Sequence, residues 1–171
     1  MSNLMKNMIR FILLLLLQVF VLNKVLIHEF VNPYIYILFI LLLPFNLPRA
    51  ALLFCALLMG LSLDAFMNTM GMHAAACVLI AYIRPFMINI LSPQGGFEAT
   101  QKAPSVTTMG WAPFALYAAV LVLIHHIAYF SLEVFGFSNW VYLLLKILLS
   151  SAVSFGLIML YEMLFYPRAG K

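Results

Sequence analysis

Residues 11–22 offer a single polar side chain, Gln18, and residues 141–160 a single charge, Lys146. Apolar stretches of this length constrain the chain more than any motif it carries. About 20 such residues make a helix that crosses the ~30 Å hydrocarbon core of a bilayer. In water, by contrast, there is nothing to cover them: only 8% of the chain is charged and its mean hydropathy is +1.10, where a soluble domain carries charge at about a quarter of its positions. The expectation is an all-α, polytopic membrane protein with one transmembrane domain over residues 1–171 and no separate soluble domain.

Turn residues and hydropathy divide the chain into six predicted helices, at about 8–27, 31–45, 49–66, 72–91, 113–135 and 139–165, with a polar loop at 92–112. Residues 1–49 contain no alanine or glycine, so no small-x-small cleavage site follows the first apolar run and it reads as a retained anchor. The second segment holds Pro33 in its first turn and ends at Pro44. As a helix it covers only about 22 Å, so either it extends back past Phe30 or the bilayer thins around it. Pro85 predicts a kink in the fourth helix, or an end near Arg84 with 86–91 along the interface. No internal repeat is present, which gives an inverted-repeat transporter no support.

Basic residues favour the cytoplasmic side of a membrane. With the N-terminus inside, Lys6, Arg10, Arg49, Lys102, Arg168 and Lys171 are all cytoplasmic, and Lys24 alone is external. Any odd number of helices would place the basic C-terminal end outside. The expectation is therefore six crossings with both termini in the cytosol. The basic residues form no groove-sized patch, which argues against nucleic acid as a partner.

Ionisable groups inside spans are expensive and each needs a reason. Asp64 ends the stripe Ala56-xxx-Gly60-xxx-Asp64, whose small residues permit close helix approach. Its carboxylate either accepts N–H groups from the 68–71 turn and the start of the fourth helix, or holds a partner protein, or takes part in proton or ion chemistry. Lys146 is expected to snorkel, or to pair with Asp64 or Glu133. Arg84 is expected at lipid phosphate or at carbonyls freed by the kink, and Glu162 beside Arg168 or Arg49. His125 and His126 point about 100° apart on their helix, so an external metal site with His73 and Asp64 would need three helices to converge. No metal or cofactor is expected. Cys55 and Cys77 read as small packing residues. Small residues concentrate in the third to sixth helices, which are expected to form the core, while the bulky first two face lipid or a partner. The chain contains no H-E-x-x-H, G-x-S-x-G or P-loop pattern, and an enzyme is not expected.

The run Pro48-Arg49…Gly60-Leu61-Ser62-Leu63-Asp64, then Gly71 and the alanine-rich His73-Ala74-Ala75-Ala76, resembles the rod shape-determining MreD family. Length, helix count and the short basic N-terminus agree with it. The resemblance implies a non-enzymatic subunit of the bacterial inner membrane. Such a subunit binds a bitopic MreC-like partner and helps direct a peptidoglycan synthase complex that maintains cell shape. Ala56, Gly60, Asp64, Gly71 and Lys146 are the candidates for helix packing or partner binding. The alternative is a small-molecule-binding subunit of an energy-coupling-factor transporter, whose alanine-rich first helix is missing here.

Overall fold

The computed structural model describes residues 3–24, 31–93, 97, 103–134 and 140–165. Among them the order is α1 (Asn3–Phe20), a 3-10 turn (Leu22–Lys24), α2 (Ile37–Leu41), α3 (Arg49–Met67), α4 (Met72–Leu91), α5 (Val106–Met109), α6 (Trp111–Glu133) and α7 (Trp140–Phe165). Five stretches are long and apolar enough to cross a membrane: α1 with its following turn, α3, α4, α6 and α7. No strand occurs among the described residues. Lys102, Arg168, Lys171 and the predicted helix ends at 25–27, 135 and 139 lie outside them.

The second predicted helix is the main correction. Residues 31–45 contain only the five-residue α2; the rest is unwound. Pro33 supplies no N–H and pushes Asn32 out of helical geometry, and Pro44 does the same to Leu43. Between them, Tyr34-Ile35-Tyr36-Ile37 is a β-branched and aromatic run that favours helix weakly. Unwinding also removes the length problem. Tyr34 packs on Tyr129 and Tyr36 on His125, so two residues here match four in α6. Asn32 and Tyr34 likewise bond Ser150 and Ser154 of α7. A helical turn of four residues rises about 6 Å, so residues 32–36 advance about 3 Å per residue, the rise of extended chain.

These pairings fix its direction. The segment runs antiparallel to α1, where Gln18 meets Pro33 and Ile35 while Arg10 meets Leu42. It runs antiparallel to α6 and parallel to α4, from His73 at Tyr36 to Arg84 at Leu43. It therefore traverses the bundle from the end where α3 and α6 finish, the upper end below, to the end where they begin, the lower end. Every residue from Tyr34 to Leu43 is buried. Of the first two segments, both expected to face lipid or a partner, α1 is exposed along Leu4, Met8, Ile12, Leu13 and Phe20, whereas the second is the most enclosed stretch among the described residues.

α3 and α4 form the tightest crossing. A Cβ placed on Gly60 would lie 2.3 Å from Ala74 Cα and 2.6 Å from its nitrogen. Ala56 is buried one turn below. The small-residue stripe is thus filled by the chain's own α4. α4 continues through Pro85 to Leu91, beyond the earlier of the two predicted ends. The loop before α6 is also more ordered than its polarity suggested. Ser105 caps α5 in a reciprocal capping box with Thr108, and Val106 and Met109 are buried.

Gly60→Leu should lower the thermal unfolding midpoint of the detergent-solubilised protein strongly, an overpacking cost of about 1–3 kcal/mol or more. Gly156→Ala, where a Cβ meets nothing within 4 Å, should leave the midpoint essentially unchanged.

Candidate functional site

Non-helical backbone deep inside a bundle is tolerated only where the protein supplies the hydrogen bonds that water would. Here interior side chains do so. The Gln18 amide accepts the Ile35 N–H through Oε1 (3.0 Å) and donates through Nε2 to Pro33 O (3.0 Å). Ser150 Oγ accepts the Asn32 N–H (3.0 Å) and Ser154 Oγ the Tyr34 N–H (2.8 Å). At the lower end Tyr117 Oη donates to Leu41 O (3.0 Å), Arg10 reaches Leu42 O (3.3 Å) and Arg84 donates to Leu43 O. Arg84 Nε also donates to Tyr117 Oη (3.0 Å). Arg84 is 2% exposed, so the expected lipid-phosphate contact is replaced by an internal one, and the carbonyl it serves belongs to the unwound segment.

Where that segment enters, a cluster of aromatic and imidazole rings closes around Tyr34. Its ring centroid lies 5.2 Å from Tyr129, 5.2 Å from His126, 5.6 Å from His73 and 5.9 Å from His125. The imidazoles have separate roles. His126 Nδ1 donates to Val122 O (2.8 Å), which leaves Nε2 to accept the hydroxyl of Ser154 (3.1 Å). His125 Nε2 meets Tyr36 Oη (2.9 Å) and its Nδ1 has no hydrogen-bond partner among the described residues. His73 Nδ1 lies 3.0 Å from Asp64 Oδ1 and 2.9 Å from Thr69 Oγ1, so this nitrogen carries the proton and Nε2 is a buried acceptor without a donor among those residues. Among the described residues no group of three His, Cys, Asp or Glu has the arrangement to hold a metal ion.

The predicted site residues do not form one constellation. Asp64 accepts the N–H groups of His73 and Ala74 (both 3.0 Å) and the Thr69 hydroxyl (2.6 Å). It thereby caps α4, with the favourable charge for a helix N-terminus. Gly71 precedes α4 at φ 86°, a left-handed conformation that glycine adopts without strain. Ala56 and Gly60 are enclosed in the α3–α4 crossing. Lys146 bonds Glu133 Oε2 (2.6 Å) and lies 4.7 Å from the Phe130 ring centre. The candidate Asp64–Lys146 pair is therefore replaced by Glu133–Lys146. Glu162 turns to Val106 N–H (2.9 Å), where a backbone donor serves in place of the expected Arg49.

Sequence reasoning missed Gln18, Tyr34, Tyr36, Ser154 and Tyr129. The usable signals were local: one amide in an otherwise apolar run, the Tyr-Ile-Tyr alternation with period two, and serines four apart on α7. Beside the ring cluster, a cavity of about 150 Å3 opens between the 3-10 turn, the unwound segment and the ends of α3 and α6. Asn23, Asn32, Tyr34, Tyr129 and Glu133 line it. No family model, curated protein or solved structure matches the chain.

A double-mutant cycle on Glu133 and Lys146 should return a coupling of about 0.5–1 kcal/mol in detergent unfolding. The same cycle on Asp64 and Lys146 should return none. Asp64→Ala should be the most damaging single change of the three, at about 1–3 kcal/mol, because it orphans donors at the α4 N-terminus.

Proposed function

We propose that this chain is an MreD-like, non-enzymatic subunit of a bacterial cell-elongation complex. In this reading it lies in the inner membrane and binds a bitopic MreC-like protein. Through that partner it helps direct a peptidoglycan synthase complex and so maintains cell shape. The chain crosses the bilayer six times, the unwound segment being the second crossing, with both termini in the cytosol. Alternation supports the topology: α1, α3 and α6 run one way, while the unwound segment, α4 and α7 run the other. The lower end, with Arg10 and Arg49, is then cytoplasmic, in keeping with the basic bias of 6–10, 49, 102 and 168–171.

One observation carries the reading of a contact protein. The carboxylates of Asp64 and Glu162 hold backbone N–H groups, and that of Glu133 holds Lys146, so each is engaged in structure. The outward faces of α1 and α7 meanwhile present long apolar side chains, Leu4, Ile12, Leu13 and Phe20 on one and Leu144, Leu148 and Leu160 on the other. Such faces suit lipid or a single-span partner helix. The Gly60…Asp64…Gly71 stretch, on which the MreD resemblance rests, forms the α3–α4 joint.

Deleting the gene from a rod-shaped host should round the cells, and native-membrane purification in mild detergent should bring down a single-span coiled-coil protein. Rods of normal width with intact wall insertion after deletion would overturn the proposal.

A further inference from the structure

We propose that the cavity beside Tyr34 and Tyr129 binds a small organic ammonium ion. This goes beyond the contact-protein reading and does not depend on it. The cavity's volume is about 150 Å3, the size that takes a benzene-sized guest in an engineered protein cavity of known volume. A methylated or primary ammonium of six to eight heavy atoms, on the order of that guest, therefore fills it.

The walls choose the charge. Tyr34 and Tyr129 both line the cavity, with ring centroids 5.2 Å apart and ring planes at 73°. Aromatic faces of this kind attract ammonium groups through their quadrupoles, most strongly when water is excluded. Glu133 adds a carboxylate at the rim. Lys146 holds its Oε2 at 2.6 Å, and the Glu133 side chain remains 33% exposed. Asn23, whose Oδ1 accepts from Gln18 Nε2 at 2.8 Å, and Asn32 add polar groups to the lining. No lysine or arginine is among the lining residues. An anion would therefore meet a carboxylate with no cation on the cavity wall, and a purely apolar guest would cover that carboxylate's exposed part.

The rings are also fixed in advance. Tyr34 is held by its backbone N–H on Ser154 and by stacking on His126 at 5.2 Å, and Tyr129 lies 4.5 Å from the His73 ring. Little ordering remains for a ligand to impose. The same ammonium chemistry occurs in free amines and in choline or ethanolamine lipid headgroups.

The test titrates the full chain in detergent with choline chloride at constant ionic strength, read by thermal unfolding and by calorimetry. Choline should raise the midpoint saturably, and its neutral isostere 3,3-dimethyl-1-butanol should not. Tyr129→Leu should weaken choline about tenfold. Met67→Lys, which tethers an ammonium at a lining position, should abolish the shift by competing for the site. In nanodiscs, a shift lost in phosphatidylcholine but kept in phosphatidylglycerol assigns the site to lipid headgroups. A shift kept in both assigns it to a free amine, and both results support the proposal. No saturable shift with choline or methylammonium, equal binding of the isostere, or a shift unchanged in Met67→Lys would overturn it.

Discussion

The backbone between Val31 and Leu43, unwound on either side of the short α2, sets the terms for the rest of the molecule. Inside a bundle surrounded by lipid there is no water to take its N–H and C=O groups, and each one left bare costs several kcal/mol. A helix would have met the requirement within the segment. Prolines at 33 and 44 forbid a helix of sufficient length, so the burden passes to neighbouring side chains. Gln18 on α1, Arg84 on α4, Tyr117 on α6, and Ser150 and Ser154 on α7 answer it one group at a time. Their positions on four different helices make the segment the element that fixes how those helices stand relative to one another. In a membrane, where apolar burial does little to drive helices together, such bonds and close packing carry the specificity.

The two ends of the bundle are held by different chemistry. At the lower end a guanidinium and a phenol serve carbonyls, and Glu162 anchors the α5 turn. At the upper end the elements are joined by rings, with Tyr34 in the centre and three imidazoles around it. Two of those imidazoles keep a buried nitrogen without a partner among the described residues, and the cavity opens beside the same rings. The upper end is thus the part of the interior where polarity exceeds what the backbone requires. A solute there would meet prearranged rings and no helix would have to move.

Much of the architecture was legible in the sequence because length and hydropathy report membrane helices directly. α3, α4, α6 and α7 start within one or two residues of expectation, and the Ala56–Gly60 stripe announced a close crossing that the Gly60–Ala74 approach realises. Asp64 was legible as a cap because the 68–71 turn and the next helix follow it at once. The second predicted helix was not. Hydropathy sums the same leucines and isoleucines whether they are helical or extended, and only its shortfall in length hinted at a departure. The partners of that segment were illegible for a further reason: Gln18, Ser154 and Arg84 join it from 15 to 120 residues away, and no local pattern encodes such distances. Lys146 shows the same limit, since depth alone could not choose between Asp64 and Glu133.

Hydrogen–deuterium exchange of the protein in lipid nanodiscs, read on peptides covering residues 31–43, tests the caging of this segment most directly. The account predicts slow uptake at Tyr34 and Ile35 in the wild type. It predicts a local acceleration there in Gln18→Leu and in Ser154→Ala, with α4 and α6 unaffected. Uptake at wild-type rates in both variants would mean that the segment satisfies its own backbone as a helix, and would contradict it.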